Sequence, residues 1–287
     1  MASNPVFDRI DKESRQGYAG FGRGSQAQRT PFGRGAADPM SPQQLQDLYN
    51  QPSAGPVQMR RLTIDDVVMK TAGLFALLLV GAVAGWTLFP SMGPVLILGG
   101  IALTLVLGLV IALRKTVSVP LIVLYAAVEG VFVGAISNGY SLAFDPPGQT
   151  DVFHGIVAQA VLGTLSVFAG MLLAYKTGII RVTAKFRRIV TMAVIGYAIF
   201  ALVNFLYAVI GHHAFGIGGT GALGFFVSIF AIGLASLMLA VDFDSIDRAI
   251  AAGAPEKYSW LLAYGLVVTL VWLYLEILRL LGRMRSN

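Results

Sequence analysis

The chain has 287 residues, 56% hydrophobic and 13% charged, where a soluble domain of this length carries about 25% charged residues. The formal charge is +6. Most of the basic residues sit in the N-terminal segment or between hydrophobic runs, so membrane topology accounts for them better than nucleic acid does. There is no cysteine, which excludes disulfides, thiolate chemistry and Cys-ligated metal sites.

Residues 1–62 are rich in Gly, Gln, Ser, Pro and Arg and carry the near-repeat Phe21-Gly22-Arg23-Gly24 and Phe32-Gly33-Arg34-Gly35. Such a composition buries too little apolar surface to offset ordering entropy, so a disordered tail is expected, with its arginines drawn to anionic headgroups. No cleavable signal peptide is expected, because the first apolar run begins only after this tail. The first helix would act as its own signal.

Residues 63–287 read as one membrane domain. Seven apolar spans are predicted, at about Val67 to Phe89, Val95 to Leu113, Val119 to Ser137, Phe153 to Tyr175, Ile189 to Ile210, Ala222 to Val241, and Tyr258 to Leu281. Each is long enough to cross a hydrocarbon core of roughly 30 Å. The runs are continuous rather than alternating, which predicts helices and an all-α fold instead of a barrel. Trp86, Trp260, Tyr140 and Tyr258, near span ends, are expected as interfacial anchors.

The connections alternate in charge. Phe89 to Pro94, Asn138 to Val152 and Gly211 to Gly221 hold no Lys or Arg, whereas the others carry Arg114 and Lys115, then Lys176 to Arg188, then Arg248 and Lys257. The basic set and the N-terminus are therefore expected in the cytoplasm. Arg279, Arg283 and Arg285 oppose this pattern, since seven full crossings place them outside. A full crossing is still expected from the length of the last run.

Ionisable groups inside apolar spans are the informative ones, because each costs about 2.5–3.5 kcal/mol at a helix centre on insertion scales. Glu129 lies mid-span in the third run, Asp242 at the end of the sixth with Asp244 and Asp247 beyond it, and Glu276 deep in the seventh. These acids should face the bundle interior, paired with one another or with a base such as Arg114. Asp244 and Asp247 have the alternative of a solvated turn, Glu129 that of a neutral hydrogen-bonded group, and Glu276 that of a local pair with Arg279 at i,i+3 or with Arg283. Two carboxyls sharing a site share a proton, which makes a pH-sensitive latch. Carboxylate oxygens are also the ligands that Ca²⁺ prefers, so Asp242 and Glu276 are candidate metal ligands. Gly130 and Gly134 form a small-xxx-small pair beside Glu129. His154, His212 and His213 fall in outer connections. No phosphate loop, nucleophile elbow or zinc-protease helix is present, and no enzyme activity or resident cofactor is expected.

The segments Glu129-Gly130-Val131-Phe132-Val133-Gly134-Ala135-Ile136-Ser137, Asp242-Phe243-Asp244-Ser245-Ile246 and Leu273-Tyr274-Leu275-Glu276-Ile277-Leu278-Arg279-Leu280-Leu281, together with the order of spans, resemble the Bax inhibitor-1 family and its bacterial members. The resemblance runs from about Thr63 to Gly282. It implies six helices around a central seventh and a pH-sensitive calcium leak channel. It further implies a proton-sensitive latch between Asp242 and the seventh-helix acid, with Arg114 in the place of the family's arginine. The seventh-helix position, usually aspartate, is Glu276 here.

The expectation is therefore a multi-pass protein of the plasma membrane with a cytoplasmic N-terminus, leaking Ca²⁺ under control of Asp242, Glu276, Glu129, Arg114 and Asp244. Its partners would be the lipid bilayer and calcium ions. The alternative is a non-conducting regulator that binds another membrane protein, such as a quality-control protease.

Overall fold

The computed structural model describes residues 60–146, 154–211 and 215–286. The expected disorder of residues 1–59, and His212 and His213, lie outside the described residues. All described elements are helical: α1 (Ile64–Leu113), α2 (Val119–Phe144), α3 (Ile156–Lys176), α4 (Ala184–Ile210), α5 (Ala222–Ala251), a 3₁₀ turn (Glu256–Tyr258) and α6 (Ser259–Arg285). The six α-helices are each long and apolar enough to cross a membrane.

The chain before α1 is ordered from Arg60. Leu62 N–H donates to the Ala254 carbonyl at 2.8 Å, and Glu256 N–H donates to the Arg60 carbonyl at 3.0 Å. Leu62 is buried with Val67, Ile246 and Tyr258. Arg60, Arg61 and Leu62 therefore belong to the folded body, although their sequence assigns them to the tail. Composition cannot see the strand-like docking onto residues 254–256 that holds them. Thr63 then caps α1, its hydroxyl accepting from Asp66 N–H while the Asp66 carboxylate takes the Thr63 N–H. Reciprocal caps of this kind fix a helix start.

Two of the predicted spans are halves of α1. Its 50 residues would reach about 75 Å if straight, far beyond a bilayer core. Helical geometry breaks at Met92 (φ −135°, ψ 17°), between Pro90 and Pro94, and prolines remove a ladder hydrogen bond and clash with the preceding turn. The first half runs alongside α2 in the same direction: Leu78 meets Gly130, Ala82 meets Gly134 and the Trp86 carbonyl accepts from Asn138. The second half runs the opposite way, with Gly100 against Phe132 and Gly108 against Tyr125. α1 thus doubles back at the prolines.

Close backbone approach holds the first half to α2. A Cβ on Gly134 would collide with the Ala82 carbonyl, one on Gly130 with the Leu78 carbonyl, and one on Gly85 with the Val131 carbonyl. Lipid supplies no hydrophobic drive between helices, so such small-residue contacts and their dispersion energy carry the pairing.

Helix α6 is the most buried helix. It packs against α1, α2, α3 and α5, and Tyr197 reaches it from α4. Leu266, Val267, Val271, Leu273 and Leu278 of α6 are buried in the main core cluster. Tyr258 is 3% exposed, so it is a core residue and not the interfacial anchor expected from its position; Trp86 does stay exposed.

The two ends of the bundle differ. One, the basic end, gathers the start of α1, the 114–118 turn, the end of α3, the start of α4 and the 3₁₀ turn, with Lys70 bonded to Glu256 at 2.9 Å. The opposite end carries Arg279, Arg283 and Arg285, which are all engaged. Arg283 is 2% exposed; it donates to the carbonyls of Gly219, Gly224 and Phe215 at 3.1, 2.6 and 3.2 Å, and to the Ser228 hydroxyl. Arg285 bonds Asp145 at 2.5 Å, the His154 carbonyl at 2.7 Å and Gln159 at 3.0 Å.

Candidate functional site

The sixth predicted span ends too early. Helix α5 continues past Val241 to Ala251, so Asp242, Asp244 and Asp247 all project from helix rather than from an exit turn. Partners on other elements make this tolerable. Asp244 takes Arg187 of α4 and, at 2.8 Å, Arg248 one turn on. Asp247 accepts from the Tyr175 hydroxyl of α3 at 2.8 Å. Asp244 is thus not in a solvated turn; it clamps α4 to α5 at the basic end.

Asp242 lies about 13 Å inside the end of α5 at 1.5 Å per residue. Its Oδ2 is shielded from solvent and has no hydrogen-bond partner among the described residues. Thr269 of α6 is within hydrogen-bond reach, but its hydroxyl hydrogen already goes to the Gly265 carbonyl at 3.1 Å. A protonated Asp242 would donate to the lone pairs of Thr269, whereas an ionised one would have to compete for a single hydrogen. Few buried polar atoms in folded proteins are left in this position.

Glu129, 6% exposed, sits one turn beyond Tyr125, whose hydroxyl lies near its carboxyl. Tyr125 in turn meets Tyr264 of α6 edge to face at 4.9 Å. Because Tyr125 lies beside Tyr264, and Ser137 bonds Tyr274 at 2.7 Å, α2 and α6 run in the same direction. Glu129 and Asp242 therefore lie at similar depth, on different flanks of α6.

Glu276, 3% exposed, is the best satisfied acid. It accepts from the Tyr197 hydroxyl at 2.6 Å, from Trp272 Nε1 at 3.4 Å, and from Arg279 Nη1 at 3.1 Å on both carboxylate oxygens. Trp272 stacks on Tyr197 at 5.6 Å. The local i,i+3 pair is the alternative that forms.

The expected latch does not. Thr269, which faces Asp242, precedes Glu276 by two helical turns, about 10 Å along the axis, and no hydrogen bond joins the two acids. They do not make a common metal site either: no group of three His, Cys, Asp or Glu among the described residues is arranged to hold a metal ion. Arg114 ends α1, its N–H capping the Val110 carbonyl at 3.1 Å. Its side chain is exposed in a small crevice with Lys115, Ser118 and Tyr258, and it forms no ion pair with Asp242 or Glu276.

Four partners escape sequence reasoning. Tyr125, Tyr197, Tyr264 and Thr269 read as ordinary members of apolar spans, and only their placement around α6 makes them partners of buried acids. The usable signal was spacing: Tyr125 and Glu129 are separated by four residues, as are Trp272 and Glu276, which puts each pair on one helix face.

No curated protein matches the chain. A family model described as Bax inhibitor 1 like matches residues 4–286, nearly its whole length, including the helices that carry Glu129, Asp242 and Glu276. The chain belongs to the Bax inhibitor 1 like family, as a multi-pass helical membrane protein.

Proposed function

We propose that this protein is a pH-sensitive cation leak channel, conducting Ca²⁺ across the plasma membrane, in which Asp242 is the proton-responsive group. One observation carries the reading: a carboxyl oxygen of Asp242 is enclosed against the central helix without a partner. Protonated, the group fits the closed packing against Thr269. Ionised, it needs water or a cation, and admitting either means parting α5 from α6. Glu276 is neutralised in place by Arg279, so it braces α6 and is not half of a proton-sharing pair. Glu129 supports the path from the other flank.

In this reading α1 contributes two crossings, giving seven in all. The basic end with residues 1–62 faces the cytoplasm, in accord with its lysines and arginines, and the C-terminus lies outside. No enzymatic activity or resident cofactor is part of the proposal.

The test is Ca²⁺ flux in proteoliposomes across pH 5 to 9, roughly the range over which buried carboxyls titrate. Wild type should vary with pH, Asp242→Asn should give a flat profile, and Glu276→Gln should lower the amount of folded protein while leaving any remaining profile pH-dependent. An unaltered profile in Asp242→Asn would remove the mechanism.

A second reading, a non-conducting regulator of another membrane protein, gains from the separation of Asp242 and Glu276 along α6, because the paired latch expected of a gated channel is then missing. Absence of flux at every pH in purified, folded protein would select it.

A further inference from the structure

A deep slot opens sideways from the bundle between the first half of α1 and α3. Its volume is about 960 Å³, and its lining is almost wholly apolar. It runs the length of both walls, from Ile64 and Lys176 at the basic end to Trp86 and Val157 at the other, and its floor is the central helix at Leu270 and Tyr274. Such a space inside a bilayer does not stay empty, and its chemistry restricts what fills it.

The volume is of the order of a phospholipid's two acyl chains. The α3 wall presents Val161, Leu165, Phe168 and Leu172, bulky side chains that suit flexible hydrocarbon. A partner helix would instead need small residues there to bring its backbone close, as Gly130 and Gly134 do for α1. Charge is confined to one end. Asp247 at the rim is taken by Tyr175, while Lys176 is exposed and forms no ion pair among the described residues. It stands at the height where the headgroup of a lipid in that leaflet would lie.

We infer that the slot is a binding site for one anionic diacyl phospholipid, its chains laid between α1 and α3 against α6 and its phosphate held by Lys176. The site is independent of the proposed conduction. The bound chains would touch the central helix at Leu270 and Tyr274, and through Tyr274 the hydrogen bond to Ser137.

The test uses full-length protein in phosphatidylcholine vesicles titrated with phosphatidylglycerol that carries a mid-chain photoactivatable group, the labelled residues being mapped by peptide mass spectrometry. Labels should concentrate on Phe168, Leu172 and Leu270 over the exposed α4 residue Leu202. Val161→Trp, which narrows the slot, should lower that excess and leave Leu202 unchanged. Lys176→Gln, at the solvent rim and harmless to folding, should raise the probe concentration needed by about fivefold, the worth of one surface cation toward an anionic headgroup. Equal labelling of slot and α4 would mean ordinary boundary lipid and overturn the site. Lipid excluded by a co-purified polypeptide crosslinked to these residues would overturn it in favour of a partner helix. If Val161→Trp does not fold, Lys176→Gln alone decides, and unchanged labelling there refutes the phosphate contact.

Discussion

The two ends of the bundle both carry arginines, but they use them differently. At the basic end Arg187 and Arg248 are spent on Asp244, but Arg114 and Lys176 extend into solvent, so their charge is available to water, headgroups and the rule that sorts cytoplasmic loops. At the opposite end Arg283 is enclosed by three backbone carbonyls and a hydroxyl, Arg285 ties α6 to Asp145 and the start of α3, and Arg279 is matched by Glu276. A count of basic residues treats these as equal. The structure separates charges that face the membrane surface from charges consumed as internal fasteners, and only the first kind bears on orientation.

The largest test of this contrast is Arg283→Ala. It strands the carbonyls of Phe215, Gly219 and Gly224, and should cost about 1–3 kcal/mol for each one left unsatisfied. In detergent the thermal transition should fall steeply or vanish. Arg283→Lys should rescue little, because an ammonium cannot reach the same spread of acceptors. A wild-type melting curve for Arg283→Ala would mean that the guanidinium is not a fastener.

Asp145→Asn is a smaller perturbation. Asp145 accepts from Arg285 and from Ile156 N–H at 2.9 Å, where it caps the start of α3, and the substitution should cost roughly 1.5 kcal/mol. Double replacement with Arg285→Ala should cost no more than the larger single change, since the two act on each other. Simple addition of the two losses would show that they act apart.

At the basic end, Arg114→Ala should shift stability by less than about 0.5 kcal/mol, in line with exposed positions. A loss comparable to Arg283→Ala would erase the distinction between the ends.

The all-helical character, the connection from Phe89 to Pro94, the Gly130 and Gly134 packing pair and the Glu276–Arg279 spacing were all legible in the sequence, because each rests on neighbours within a few residues. What was hidden depends on residues far apart in the chain. The sixth run seemed to stop at Val241 because hydropathy falls at Asp242, yet Arg187 and Tyr175, from other helices, let α5 continue. The acceptors of Arg283 are backbone carbonyls, which leave no mark in a sequence. A pairing of Asp242 with Glu276 was expected from the resemblance, but the two-turn offset along α6 separates them. Arg114, an obvious cation for a buried acid, lies past the end of its helix and faces outward.

The Glu276–Arg279 pair also bears on how the molecule is made. Its two charges lie one turn apart on the same helix, so they can cancel as soon as that turn forms, without help from any other segment. Helix α6 can then partition out of water carrying its own counterion, and Tyr197 has only to dock on a group that is already neutral overall.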